Sequence, residues 1–334
     1  MSVELIGYGA FFLTMALTYA IICLGLNVQW GQTGLFNVGV AGFVAVGAYV
    51  SALLTTPDDP ARLGGFGLPI VCGWIGGAVG AALLSFLIGA LTIRLRADYL
   101  AIATFGVAVV VQLAALNLEP ITGGPFGIGF IPRPFAGWAG DPLWFSLANL
   151  GVVALVVVAL YLALERLTRS PWGRVLRAIR EDETAALALG KNATAFRLQA
   201  FAIGGGIMGL AGAVQAHFIG FIAPENYVPM LTFQVWAMLI VGGSGNNRGA
   251  ILGAVLVWGI WAASAGSMAA LFPPGQQARA AALQIVLIGV ALCAVLLLRP
   301  RGILGERSSL PRDRKDAKPG AVAQPPQRES AHAE

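Results

Sequence analysis

The amino-acid sequence predicts an all-α polytopic membrane protein with about 8–10 transmembrane helices, some of them broken at glycine-rich segments. The mean hydropathy is +0.77, and 57% of the residues are hydrophobic while only 11% are charged. Apolar runs of about 18 residues or more recur, and a helix of that length crosses the roughly 30 Å hydrocarbon core of a bilayer. The 44 glycines allow helices to approach closely in lipid, where little hydrophobic force drives them together.

Nine apolar segments are predicted to span the membrane. In chain order they are 5–26, 35–56, 68–93, 99–117, 143–164, 198–219, 230–243, 250–265 and 280–298. The first follows "MSVE", which has no basic residue, so we expect a retained span and not a cleaved signal. The seventh is short and runs into "VGGSG", which favours one broken unit with the eighth. These spans define a transmembrane domain of residues 1–306, and the polar, proline-rich tail 307–334 is expected to be disordered in the cytoplasm.

The Lys and Arg residues are concentrated in two segments: residues 165–197 carry seven of the 21, and residues 299–334 carry eight. Despite a pI near 9.4, this is the loop bias of a membrane protein and not a nucleic-acid-binding face. We therefore expect both segments in the cytoplasm, 118–142 and 57–67 outside, and 27–34 on the cytoplasmic side. With nine spans, the N-terminus is then outside.

Ionisable side chains are nearly absent from the predicted spans. His217 is the one titratable residue clearly within a span, and it is interpreted as a hydrogen-bonded packing residue, with a proton relay as the alternative. Cys23, Cys72 and Cys293 lie in apolar runs and are expected to be buried. The sequence has no metal-ligand spacing, no catalytic triad and no GxxxxGK[ST] loop. It therefore predicts a protein that is not an enzyme, holds no metal or cofactor, and does not hydrolyse nucleotide by itself.

The segment "SPWGRVLRAIREDETAALALGKN", residues 170–192, has the sequence pattern of helices and is far more polar than the spans. Ser170 and Pro171 form a strong helix start, Asp182 can cap a second short helix "ETAALAL", and Gly190 suits the position after that helix. Residues 185–189 are small or apolar and have little of the loop to pack against. We expect them to lie in a groove of a partner protein, or alternatively on lipid headgroups.

Uncharged polar residues cluster where two predicted spans are interrupted by glycines. The first cluster contains Gln29, Gln32, Thr33 and Asn37, and the second contains Ser244, Asn246 and Asn247. Paired glycine-interrupted segments in two halves of a transporter point to a translocation path, whereas ordinary turns also use Gly and Asn. In the predicted external loop, Thr122, Gly123 and Gly124 face a solute receptor, line the mouth of the path, or form a turn.

Several motifs resemble those of one family, in the family's order, over about residues 20–305. They are "GLNVQWGQTGLFNVGVAGFVAVGAYVSALL" (25–54), "ITGGPFGI" (121–128), "RAIREDETAALALGKNATAFRLQAFAIGGGIMGLAGA" (177–213), "LIVGGSGNNRGAILGAVLV" (239–257) and "RPRGILG" (299–305). The family is the permease subunits of branched-chain amino-acid ABC importers. The resemblance implies that Glu183–Gly190 is the coupling helix, which docks in a cleft of a separate ATPase subunit. The residues assigned in this way to ATPase coupling are Arg180, Glu181, Asp182, Glu183, Thr184, Ala185, Ala186, Leu189 and Gly190.

The resemblance also implies a multi-pass permease subunit in a bacterial inner membrane. Its expected partners are ATP-binding subunits that bind the ATP, a second homologous permease subunit in a heterodimer, a periplasmic solute-binding protein and the lipid bilayer, with no nucleic acid. Uncharged path residues suit a small neutral or zwitterionic solute. The resemblance favours branched-chain amino acids and leaves urea or short amides as the alternative. An ion-coupled secondary carrier or channel, or a membrane scaffold, are the hypotheses from other classes.

Overall fold

The computed structural model describes residues 2–58, 62–138 and 140–272, together with isolated positions between 276 and 297 and the segment 302–305. Within these residues the protein is all-α, and the β pairing is limited to one bridge between Ile128 and Ile222. The α-helices are α1 (Ser2–Leu26), α2 (Val40–Thr55), α3 (Ile70–Thr92), α4 (Ala97–Asn117), α5 (Glu119–Thr122), α6 (Pro142–Arg169), α7 (Pro171–Glu181), α8 (Glu183–Ala188), α9 (Ala193–Ile219), α10 (Pro229–Gly242) and α11 (Asn247–Leu271).

The predicted all-α polytopic membrane architecture is confirmed. Five of the described helices are long and apolar enough to cross a bilayer, namely Ile6–Gly31, Ile70–Thr92, Ala97–Asn117, Pro142–Arg169 and Ala193–Ile219. The helices α2 and α10 are shorter apolar helices. Each of the first eight predicted spans coincides with a helix, and the predicted interruption between the seventh and eighth lies between α10 and α11. The ninth predicted span, 280–298, and the tail 307–334 lie outside the described residues, apart from isolated positions of the span.

The helices form a buried centre and an outer layer. In the most apolar stretch of each helix, the buried share is 67% for the first span and 72% for α9, but only 22% for α3, α4 and α6. The outer helices expose large apolar side chains such as Val71, Ile102 and Leu155, which suits contact with lipid. Cys72 and Cys293 are exposed, so their predicted burial is wrong, because their positions on the helices face outward; Cys23 is buried as predicted.

The central helix α9 approaches α2 so closely that side chains are excluded at the contact. A Cβ on Gly212 would collide with the backbone of Val44, and a Cβ on Gly47 would collide with the backbone of Gly209. Small residues are what allow two membrane helices to meet at this distance. The glycine-rich sequence of α9 therefore determines where the centre of the bundle lies.

Two sets of loops lie at opposite ends of the bundle. At one end, Ile128 and Ile222 exchange backbone hydrogen bonds of 2.8 and 2.9 Å, and the Leu63 amide donates to the Pro120 carbonyl at 2.6 Å. This groups the segments 57–67 and 118–142, which the sequence placed together outside. Residues 165–197, called the coupling loop after the role predicted for them, lie at the other end with both glycine-rich breaks. Which of these ends faces the cytoplasm stays a prediction from the Lys and Arg distribution.

His217 is a buried packing residue near the end of α9. Its Nδ1 lies 2.7 Å from the Pro132 carbonyl oxygen and its Nε2 lies 2.9 Å from the Ser51 hydroxyl. Because a carbonyl can only accept, we assign the proton to Nδ1, and Nε2 then accepts from Ser51. Both ring nitrogens of the neutral side chain are satisfied, which fits the packing role that the sequence favoured.

Candidate functional site

The first glycine-rich break interrupts the path of the chain between α1 and α2. A π-helical turn, Asn27–Gly31, follows α1, residues 32–33 are still helical, and residues 34–39 are then non-helical until α2 begins at Val40. Side chains from distant helices satisfy this backbone: the Val38 amide donates to the Thr104 hydroxyl at 3.0 Å, and the Ala41 amide to the Thr232 hydroxyl at 3.1 Å. Protein surrounds this irregular backbone and pairs its polar groups, as a membrane protein requires.

The four polar residues predicted to line a path at this break are all buried, and they brace the break. The Gln29 amide donates to the Phe201 carbonyl at 2.8 Å, and the Asn37 amide donates to Gln29 Oε1 at 2.6 Å. The Thr33 hydroxyl donates to the Gln29 carbonyl, and the Trp236 indole donates to the Asn37 carbonyl at 2.9 Å. In this conformation these side chains bond to protein, so path lining stays a prediction for an open state.

The second break is the turn between α10 and α11. Gly243 and Gly245 have φ values of 110° and 83°, which favour glycine. The Asn246 carboxamide accepts from the Arg248 amide at 3.0 Å and donates to the Leu304 carbonyl at 3.1 Å, so it forms the turn and holds the segment 302–305 against it. Ser244 is half-buried in the same turn. These contacts support the turn-forming interpretation, and the path-lining role of Ser244 and Asn246 stays a prediction.

The two breaks contact each other directly, which the sequence did not predict. The Asn27 amide donates to Asn247 Oδ1 at 2.9 Å, and Asn27 Oδ1 accepts from the Gly245 amide at 2.8 Å. The Gln32 amide donates to the Gly245 carbonyl at 3.2 Å. We call these three hydrogen bonds the break contact. Asn27 could not be identified as a site residue from the sequence, because its partners lie more than 200 residues away.

The coupling loop folds as the two predicted short helices, α7 and α8. Asp182 caps α8, and its Oδ1 accepts from the Ala185 amide at 3.0 Å and from the Thr184 hydroxyl at 2.5 Å. These hydrogen bonds, that of Thr184 first, hold the pKa of the Asp182 carboxylate below its usual range. The cap is therefore fully present at neutral pH and is lost only as the pH falls through that lowered pKa. Gly190 follows α8 with a φ of +74°.

The predicted partner-facing surface of α8 requires one correction. Ala186 is only 3% exposed because it packs against Ile179 of α7 and Ala193 of α9. It was expected to face an ATPase subunit and instead faces into the loop. Leu187 and Leu189 are 52% and 78% exposed, and they provide the apolar surface that remains available to a partner.

The arginines of α7 connect the coupling loop to the first break. Arg180 Nη1 donates to the Gly31 carbonyl. Arg177 Nη1 lies 3.1 Å from the Thr168 carbonyl and 3.4 Å from Gln32 Oε1. The sequence assigned Arg180 to ATPase coupling and did not single out Arg177. Their three-residue spacing nevertheless predicts that both arginines lie on one face of α7.

The other candidate residues of the coupling loop stabilise or surround α8. Glu183 Oε2 accepts from Arg197 Nη1 at 2.8 Å, which ties the start of α8 to α9. Glu181, Thr184 and Ala185 are exposed. Their contact with an ATPase subunit stays a prediction.

Thr122 and its neighbouring glycines form a compact turn at the opposite end of the bundle. The Thr122 hydroxyl donates to the Ala115 carbonyl at 2.6 Å and to the Leu118 carbonyl at 2.8 Å. Gly123 and Gly124 have φ values of 74° and 55°. The turn is therefore a structural feature of this loop, and contact with a receptor stays a prediction.

Comparison with known proteins identifies the family. The model described as "Branched-chain amino acid transport system / permease component" matches residues 9–296. The high-affinity branched-chain amino acid transport system permease protein LivM of Salmonella typhimurium is 38% identical over 266 residues, covering 73% of this chain. The chain spans only 60% of that relative's length.

Two further relatives cover more of their own length. The "Probable branched-chain amino acid transport permease protein LivM" of Methanocaldococcus jannaschii is 30% identical, with 70% of this chain and 75% of the relative covered. The permease protein LivH of the Salmonella typhimurium high-affinity system is 27% identical, with 87% and 92% covered. No solved structure matches the chain significantly. The chain belongs to the family of branched-chain amino acid transport system permease components.

Proposed function

We propose that this chain is the permease subunit of an ABC importer in a bacterial inner membrane and forms a translocation path for a small neutral or zwitterionic solute, foremost branched-chain amino acids. The observation that carries this proposal is the coupling loop. It is a folded two-helix unit at one end of an otherwise apolar helical bundle, and it exposes Leu187 and Leu189. An exposed apolar helix face of this kind suits a groove on a partner protein.

The energy source in this proposal is a pair of separate ATP-binding subunits. The sequence has no phosphate-binding loop of its own, so the ATP would be bound by those subunits. The similarity to proteins named LivM and to proteins named LivH supports a second homologous permease subunit, in a heterodimer. A periplasmic solute-binding protein is the third proposed partner, and it would select the solute before the permease receives it.

The solute class is supported by the relatives' names and by the chemistry of the breaks. The buried polar side chains there are amides and a hydroxyl, and Gln29, Gln32, Thr33 and Asn37 carry no fixed charge. Such groups can hydrogen-bond a zwitterion or a neutral amide without trapping an ion. Both branched-chain amino acids and short amides fit this chemistry, so the receptor's pocket would make the final selection.

The test is reconstitution of the chain in proteoliposomes with the ATP-binding subunits, second permease and solute-binding protein encoded beside it. We expect uptake of radiolabelled leucine, isoleucine or valine that requires internal-facing ATPase subunits and hydrolysable ATP. Uptake of urea or acetamide without uptake of leucine would support the assignment as an ABC permease but would show that the solute is a short amide. Uptake driven by an ion gradient in liposomes that lack the ATPase subunits would contradict the proposal and favour a secondary carrier.

A further inference from the structure

The coupling loop, the first break and the second break form one hydrogen-bonded network. We infer that Arg177 and Arg180 are positioning residues that carry movement of the coupling loop to a closure made by the break contact. This inference rests on the proposed function of the loop as the docking site of an ATPase subunit. It adds a defined route from that docking site to the two breaks, and this route is implied neither by the family assignment nor by the sequence motifs.

The break contact has the properties of a closure that can open. It joins segments more than 200 residues apart through Asn27, Gln32 and the backbone of the second break. All three hydrogen bonds are between neutral groups, and no large apolar side chain takes part in them. Separating the two breaks therefore exposes amides that water or a polar solute can satisfy.

The bonds between the loop and the first break are of a different kind. Arg180 donates from its guanidinium group to the Gly31 carbonyl, and Arg177 Nη1 makes a longer contact of 3.4 Å with Gln32 Oε1. Hydrogen bonds from a charged donor are stronger than neutral ones. A Cβ at Gly34 would lie 3.2 Å from Arg180 Cγ, so the arginine stem also packs against the break. When α7 moves, the first break is therefore expected to follow α7 and to separate from the second break.

The helices α7 and α8 are built to move as a unit, whereas Glu165 of α6 accepts a hydrogen bond from Asn247 Nδ2 at 3.3 Å and so holds to the second break. Ala186 of α8 is buried against Ile179 of α7, so a force applied to α8 reaches α7. At the other end of α7, Gly173 packs closely against the backbone of Thr168, at the corner with α6. Arg177 also donates to that Thr168 carbonyl, so this one side chain spans from the corner to the break.

The decisive experiment uses the complete transporter in proteoliposomes and measures ATP hydrolysis and solute uptake in the same vesicles. For the double variant Arg177→Gln/Arg180→Gln we expect normal assembly, because no residue on the exposed face of α8 is altered, and uptake is divided by the hydrolysis rate measured in the same vesicles. Solute moved per ATP should fall about tenfold, a typical size for coupling between two sites. The matched control is Arg174→Gln, on the same helix, because Arg174 is exposed and its hydrogen bond to the Arg169 carbonyl stays within the loop.

Three outcomes decide between explanations. A double variant that moves as much solute per ATP as Arg174→Gln overturns the inference. Loss of the ATPase subunits from the purified double variant also overturns it, because the arginines would then act in assembly. If the unaltered transporter shows neither ATP-dependent uptake nor receptor-stimulated hydrolysis, the proposed function itself has failed, and this result is distinct from both.

A double-mutant cycle between Arg177 and Gln32 provides a second measurement, which distinguishes action of Arg177 through Gln32 from a purely structural role. If Arg177 acts through Gln32, then Gln32→Leu combined with Arg177→Gln should lower solute moved per ATP no further than the more severe single change. If Gln32 instead contacts the solute independently of Arg177, the two fold-changes multiply. Multiplication would exclude Arg177 from the route to the closure.

Discussion

Asp182 and Gly190 define the two ends of α8 by different physical means. The Asp182 side chain accepts a hydrogen bond from a free amide at the start of α8, so its role depends on its carboxylate oxygens. Gly190 adopts a φ of +74° with nothing within 4 Å of the position of a Cβ, so its role is conformational and not steric. Both roles could be predicted from the sequence because capping depends on residues only a few positions apart.

Replacing Gly190 with valine should displace the end of α8. A left-handed conformation costs an L-residue about 1–2 kcal/mol, and a β-branched side chain tolerates it poorly. Gly190→Asn is the matched control, since asparagine adopts this conformation more readily. We expect reduced solute-stimulated ATP hydrolysis for Gly190→Val and near-normal hydrolysis for Gly190→Asn. Equal activity of the two variants would mean that the end of α8 does not need this conformation.

Leu189 and Ala186 should respond differently to substitution because only Leu189 is exposed. Leu189→Asp should weaken co-purification with the ATPase subunits while the loop keeps its fold. Ala186→Arg should instead disrupt the loop, because overpacking typically costs about 1–3 kcal/mol and a buried charge adds to this cost. Limited digestion with a protease that cleaves after glutamate separates the two effects, because neither substitution adds a glutamate, and faster cleavage at Glu181 or Glu183 is expected for Ala186→Arg alone. Normal co-purification of Leu189→Asp would favour a helix that rests on lipid headgroups.

The helices show where hydropathy is sufficient to predict the ends of a span and where it is not. Long apolar runs predicted the first eight spans to within a few residues at most boundaries, because nothing but a helix satisfies so long an apolar segment in lipid. The start of α2 was predicted five residues too early, at 35 instead of Val40. Leu35 is buried and apolar, but it belongs to the non-helical break, and hydropathy alone does not distinguish buried helix from buried irregular chain.

The contact between α2 and α9 should tolerate no side chain at its closest point. Gly212→Leu would force a side chain into the backbone of Val44, so we expect a large loss of thermal stability in detergent, measured by size-exclusion chromatography after heating. Gly151→Leu on α6 is the matched control, because no atom lies within 4 Å of its Cβ position. Comparable melting of the two variants would contradict this packing.

A Gly151→Leu chain that is stable alone but does not bind the second permease would place that partner on α6.

The molecule as a whole brings together three polar segments that are far apart in the sequence. Each was predictable as a feature in its own right: the first break from its glycines, the second from "VGGSG", and the coupling loop from its charge. Their contact was not predictable, because hydrogen bonds such as that between Asn27 and Asn247 depend on how the helices pack between them. The same packing turned Ala186 inward, since the start of α9 covers one face of α8.

The proposed docking of ATPase subunits on the coupling loop requires one orientation of the whole bundle, since those subunits could dock only from the cytoplasm. The Lys and Arg bias predicts that the loop is cytoplasmic and that Phe130, which is 95% exposed at the opposite end, is external. Because Cys72 and Cys293 are exposed, a background without the native cysteines is needed before single cysteines are introduced. In intact cells, an impermeant maleimide should then label Phe130→Cys rapidly and leave Glu181→Cys unlabelled until the membrane is permeabilised. Labelling of Glu181→Cys in intact cells, with Phe130→Cys protected, would invert the bundle and make contact with an internal ATPase impossible.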